Sequence, residues 1–197
     1  ICKALAAAHT AGVIHRDLKP ENIFLISREG NTDFVKVLDF GIAKMLRDGD
    51  GIEPFNAVET QAGTVFGTPR YMSPEQAQAK PLDLRSDLYS LGVILYQMLT
   101  GRPPFTDNDA VVVMARHIKS VPKGLNEVCP EAGIPRELED VVLRALAKDP
   151  EGRQATADAF SSELTAAYDA HGAASSGVRP SVSNPPTAPL VDSLRPQ

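Results

Sequence analysis

The sequence predicts a mixed α+β chain, mainly helical, with a short β hairpin early and helices after it. Three observations carry this expectation. Two β-rich runs, Ile23 to Ile26 and Phe34 to Leu38, are too short for helices and flank a polar stretch, Ser27 to Asp33, that holds Gly30 and Asn31. Leu84 to Leu99 is apolar nearly all round, at positions 84, 88, 91, 93, 94, 95, 98 and 99, as a helix in the centre of a core must be. Arg136 to Lys148 places Leu138, Val141, Val142, Ala145 and Leu146 on one face behind Pro135, a helix lying on that core.

The remaining elements follow in order. Ile1 to Thr10 is the end of an Ala-rich helix, closed by Gly12. From Asp39 to Pro74 the pattern is weak and rich in Gly, Thr and Pro, which predicts a long functional loop. Ala110 to Ile118 and Ala157 to Tyr168 are further helices. Residues 169–197 are rich in Ala, Ser and Pro with little to pack, and are expected to be a disordered linker after a domain at 1–168.

Composition removes several functions. The 197 residues carry a net charge of −5, with an isoelectric point near 5.4, and phosphate-backbone binding needs clustered Lys and Arg. Nucleic acid is therefore not an expected partner. Two cysteines, Cys2 and Cys129, without a C-x-x-C pair or His cluster, exclude a disulfide framework or zinc site and fit a cytoplasmic setting. The most apolar stretch is shorter than the roughly 20 residues a bilayer requires, and no signal peptide opens the chain. Ile1 stands inside a helix, so the sequence reads as a fragment.

The chemistry sits in His15-Arg16-Asp17-Leu18-Lys19-Pro20-Glu21-Asn22, followed by Asp39-Phe40-Gly41, with the two aspartates 22 positions apart. That interval has room for one hairpin that brings them back together. An isolated Asp in such a loop is more often a turn residue than a catalyst. The ordered set reverses those odds, because it resembles the eukaryotic-type (Hanks-type) serine/threonine protein kinases. A third block, Gly67-Thr68-Pro69-Arg70-Tyr71-Met72-Ser73-Pro74-Glu75, resembles the end of the kinase activation loop, with Ser73 where Ala is commoner.

The resemblance implies a protein-kinase-like α+β fold reduced to its mainly helical C-terminal lobe, since the Gly-x-Gly-x-x-Gly loop and strand lysine of the N-terminal lobe fall upstream of Ile1. It implies ATP as phosphoryl donor, Mg²⁺ (or Mn²⁺) as metal and protein substrates as partners. Phosphoryl transfer is mostly positioning and charge neutralisation, so hard oxygen ligands and a hydroxyl-orienting carboxylate belong together. By resemblance, Asp39 and Asn22 hold the metal, Asp17 orients the hydroxyl and accepts its proton, and Lys19 neutralises the γ-phosphate. Lys19, two residues after Asp17, points to Ser/Thr rather than Tyr. Thr68 helps select hydroxyl substrates. Phe24 and Leu38 are expected against the adenine ring. Glu21 adjoins the nucleotide residues and stands where some relatives contact a basic residue upstream of the target.

Other family residues are structural by resemblance. His15 packs on Phe40; Gly41 completes its motif; Glu75 pairs with Arg153; Asp87 clamps the catalytic-loop backbone. Arg16, before the catalytic aspartate, accompanies switching by activation-loop phosphorylation, with Thr64 the expected phosphosite and Thr60 a second candidate. An Ala/Pro-rich tail resembles that of bacterial receptor-type kinases, in which it leads to a membrane helix. The parent is expected to be active and the fragment alone inactive. Dimerisation through the upstream lobe stays open. So do a non-catalytic kinase-like binding module, against which the intact set of Asp17, Lys19, Asn22 and Asp39 speaks, and a small-molecule phosphotransferase, which the complete third block disfavours.

Overall fold

The computed structural model describes residues 1–28, 31–40 and 68–175. Helix α1, Cys2–Thr10, leads through Gly12, at φ 74°, into an irregular loop and a 3-10 turn, Pro20–Asn22. Strands β1, Ile23–Arg28, and β2, Asn31–Val37, form an antiparallel pair in register Ile23–Val37 to Ile26–Phe34. A register shift then brings Arg28 opposite Asn31. The strands thus reach further into the expected turn than composition indicates, since backbone pairing needs no particular side chain. Alternation puts Ile23, Val35 and Val37 against the core and Phe24 and Phe34 on the outer face.

The helical part is built around α3, Arg85–Thr100, which follows a one-turn helix α2, Pro74–Ala77. Leu88, Tyr89, Leu91, Val93, Ile94 and Tyr96 are all buried. Each buried residue of this size contributes about 1.5–3 kcal/mol of transfer free energy. Gly101, at φ 75°, ends the helix in a left-handed cap that costs other residues strain. Helix α4, Ala110–Lys119, starts at the Asp109 side-chain cap. A short α5, Leu125–Val128, follows, then α6, Arg136–Ala145. Helices α3 and α6 approach so closely at Gly92 that a Cβ there would lie 2.8 Å from the Ala145 Cβ.

Two helix ends differ from expectation. Helix α6 stops at Ala145, short of Lys148, because Asp149-Pro150 cannot continue it and Arg153 takes the carbonyls of Ala147 and Lys148. Helix α7, Ala157–Ser175, runs past Tyr168 into the segment expected as linker, where alanines favour helix. It packs on α1 and α6, closing the core around Leu5 and Phe160. Among the described residues no helix is long and apolar enough to cross a membrane. Cys2 and Cys129 are free thiols.

Candidate active site

The loop from His15 to Asn22 holds a shape the backbone does not favour. Arg16 and, beyond the hairpin, Asp39 adopt positive φ, 64° and 56°. Such conformations cost on the order of 1–3 kcal/mol each and persist only where surroundings impose them. At Arg16 the imposing group is Asp87, in the first turn of α3 and 1% exposed. Its carboxylate accepts the backbone N–H of His15 at 2.8 Å and of Arg16 at 2.9 Å. The expected clamp is therefore present.

Two further supports were not legible in the sequence. His9 of α1 donates from Nε2 to the same Asp87 carboxylate at 2.9 Å. Gln76 of α2 donates to the Arg16 carbonyl at 2.7 Å, so both backbone polar groups of the strained residue are engaged. Gln76 also closes a capping box with Ser73, whose hydroxyl accepts from the Gln76 amide. Ser73, the residue that departs from the kinase pattern, thus serves as a buried N-cap. An S-P-x-Q string is the signal that could have found the box; nothing local marks His9.

His15 is fully buried, and its ring lies 4.7 Å from that of Phe40. Its Nε2–H donates to the Leu38 carbonyl at 2.9 Å, and its Nδ1 accepts the Asp17 amide at 3.3 Å. The loop and the Asp39-bearing segment are thereby joined through one imidazole. Asn22 joins them again. Its side-chain amide donates to the Asp17 carbonyl at 2.9 Å, while its own carbonyl accepts the Leu38 N–H at 2.9 Å. Lys19 Nζ lies 2.7 Å from Asp17 Oδ2, with these side chains 25% and 20% exposed. Both side chains keep part of their surface in solvent.

With its nitrogen committed to Asp17, Asn22 keeps Oδ1 as its remaining ligating atom, and its carbonyl holds Leu38, the residue before the exposed Asp39. An amide oxygen and a carboxylate are the hard donors that Mg²⁺ takes alongside phosphate oxygens. The residues fit that ion. Phe24 is 46% exposed on the outer face of β1, Leu38 is half-buried and Glu21 is exposed. The structure brings together Asp17, Lys19 and Asn22 directly, and Leu38 with Asn22. Thr68 opens a 3-10 turn ending at Tyr71, but its side chain, with Gly41, Thr60 and Thr64, lies outside the described residues.

Below the site, Glu75 and Arg153 meet at 2.7 and 2.8 Å through two N–H···O bonds. Ser86 donates to Glu75 at 2.6 Å, and Arg153 also donates to the carbonyls of Arg85, Ala147 and Lys148. Burial pushes the Glu75 carboxyl up, but the bonds from Arg153 and Ser86 outweigh it and leave the group below the usual carboxylate range. The guanidinium also lies over the Tyr89 ring, 4.9 Å from its centroid.

Among the described residues, a loop pinned by Asp87 thus carries Asp17, Lys19 and Asn22 on a mainly helical body with one small hairpin. The chain belongs to the protein kinase family: residues 1–165 match the protein kinase domain. It is similar to serine/threonine-protein kinase Pkn1 of Myxococcus xanthus, 49% identical over 171 residues, 87% of this chain and 23% of that one. It is similar also to serine/threonine-protein kinase pkn3 of the same species, 51% identical over 166 residues, 84% of this chain and 30% of that one. To serine/threonine-protein kinase PknB of Mycobacterium tuberculosis it is 43% identical over 171 residues, 85% of this chain and 25% of that one. The chain spans about a quarter of the length of these curated relatives.

Proposed function

We propose that the protein carrying this chain transfers the γ-phosphate of ATP to Ser or Thr hydroxyls of proteins. The observation that carries the reading is the Asp17–Lys19 pair, a fifth to a quarter exposed, on a loop pinned to α3 by Asp87. Asp17 accepts the hydrogen bond of the substrate hydroxyl, aligns its oxygen on the γ-phosphorus and takes its proton as the new O–P bond forms. The bond between γ-phosphorus and its bridging oxygen breaks, and ADP leaves. Lys19 shifts from Asp17 toward the transferring phosphoryl oxygens and offsets their charge. Asn22 and Asp39 would hold Mg²⁺, which would supply further charge neutralisation on the phosphates. Phe24 and Leu38 offer apolar surface to the adenine ring, and Glu21 borders it.

The reading extends to regulation. Arg16, fixed at both backbone groups, would pair with a phosphorylated threonine of the loop that precedes Thr68, Thr64 in the first place and Thr60 in the second. These 197 residues contain no Gly-x-Gly-x-x-Gly sequence, so alone they are expected to transfer no phosphate. The test is radiolabelled ATP autophosphorylation of the full-length gene product beside its Asp39→Asn variant. Label on Thr64 or Thr60 that vanishes in the variant supports the reading. A folded, unlabelled wild type with both Mg²⁺ and Mn²⁺ tried would overturn it in favour of a kinase-like binding module.

A further inference from the structure

Helix α4 buries a titratable side chain for which the phosphoryl transfer above has no use. His117 is 0% exposed, with its ring edge-on to Phe105 at 5.0 Å and to Tyr89 at 5.7 Å between centroids. Its Nε2 lies 3.1 Å from the Arg70 carbonyl oxygen, and its Nδ1 lies 2.9 Å from the Tyr89 hydroxyl. Lys148 Nζ is 3.3 Å from that hydroxyl and 4.5 Å from the Phe105 ring centroid.

The direction of every bond in this series is forced. A carbonyl only accepts, so Nε2 carries the imidazole proton. Nδ1 is then a bare lone pair, and the Tyr89 hydroxyl must donate to it. The hydroxyl oxygen in turn accepts from Lys148. The order runs Lys148 to Tyr89 to His117 to the Arg70 carbonyl, linking the residues after α6, α3, α4 and the turn at 68–71. Burial, with the Lys148 charge nearby, holds the His117 imidazole down to about 4, and burial with Arg153 brings Lys148 down to about 8. The neutral ring is the form the series needs.

Among the described residues the turn is held also from the α3 side, by Ser90 donating to the Tyr71 carbonyl at 2.7 Å and by Tyr71 donating to Gln97 at 2.7 Å. The bond from His117 holds it from the α4 side, and losing it would leave the Arg70 carbonyl without that partner. We propose that the Lys148–Tyr89–His117 series fixes the position of the 68–71 turn, and that His117 and Lys148 are positioning residues for the protein substrate that this turn seats. The inference rests on the kinase reading for the identity of the substrate, though not for the rigidity of the turn.

Two readouts on the full-length gene product test it. The probe is a Ser/Thr peptide chosen from a degenerate array with the wild type. In His117→Leu its KM is expected to rise about tenfold while the KM for ATP stays within twofold. His117→Gln, whose amide can still donate to the Arg70 carbonyl, is expected to recover most of the loss. In hydrogen exchange, the Arg70 to Ser73 amides are expected to exchange at least tenfold faster in His117→Leu and Lys148→Met. Should His117→Leu not fold, Tyr89→Phe, which removes only the hydroxyl, carries the same expectations. Equal shifts in both KM values, or unchanged exchange in folded variants, would overturn the proposal. A wild type without kinase activity would sink the substrate role, and the exchange experiment would still decide whether the series fixes the turn.

Discussion

Two cation–carboxylate pairs in this molecule have the same closest distance and opposite characters. Lys19 meets Asp17 at 2.7 Å with a quarter of its side chain in solvent. Arg153 meets Glu75 at 2.7 Å, with the arginine side chain 0% exposed and the carboxylate also held by Ser86. The first can be parted cheaply, because water takes over each charge as it separates. The second cannot, because each charge would be stranded in a medium that solvates it poorly. Distance alone says nothing about worth. Exposure and the number of further hydrogen bonds decide which pair can work as a moving part.

The comparison can be broken by four measurements. Asp17→Asn is expected to lower kcat about 10²–10⁴-fold, the usual worth of a general base, while the melting temperature stays nearly unchanged. A large fall in melting temperature would mean that this pair too is structural. Glu75→Gln leaves the Arg153 charge buried without its counter-charge and is expected to cost about 3–5 kcal/mol. Unfolding followed by calorimetry on the intact protein checks this, and a cost under about 1 kcal/mol would erase the distinction.

Acid sharpens the contrast by acting on the buried region. The folded state holds His117 neutral down to about 4, whereas the unfolded chain protonates near 6.5. Between those values the unfolded state binds more protons, so stability is full above about pH 6.5 and falls toward pH 4. At about 1.4 kcal/mol per unit, the loss is on the order of 3 kcal/mol. The titratable groups that face this ring are Tyr89 from α3 and Lys148 beyond α6; Arg116, next to it on its own helix, turns away to Asp107. Glu75, whose folded carboxyl lies below the usual range, adds a further loss as pH drops through that folded value. Melting curves at stepped pH should therefore slope between 6.5 and 4 in the wild type and flatten in His117→Gln. The smallest effect is expected from Lys123→Ala. Its i,i+4 pair with Glu127, at 3.0 Å and exposed on both sides, should be worth a few tenths of a kcal/mol.

What the sequence disclosed and what it withheld follow one physical line. Asp17, Lys19 and Asn22 were picked out by resemblance, which their closeness on one short loop makes easy to recognise. The all-round apolar run at 84–99 is legible because a central helix has no polar face to spare. Glu75 and Arg153, far apart along the chain, were expected only through resemblance. His9 on Asp87, Gln76 on Arg16 and His117 on Arg70 were not foreseen. Each joins segments 47 to 78 residues apart by a single hydrogen bond, and no local pattern marks such a bond. The end of α6 was missed for a related reason, since Arg153 claims carbonyls that a local reading assigns to the helix. The length of α7 was missed because scarcity of apolar residues outweighed alanine's preference for helix.

The packing of α1 against α7 has a consequence in time. Leu5 and Phe160 belong to one core cluster, yet 155 residues separate them. At roughly 5–20 residues per second, the ribosome delivers Phe160 on the order of 10–30 s after Leu5. Throughout that interval the apolar side of α1 has no α7 to lie on, and the domain cannot close. A contact this remote also slows folding by its topology. The newborn chain is thus an exposed greasy helix waiting for its partner, and a helix made much later is the one that completes it.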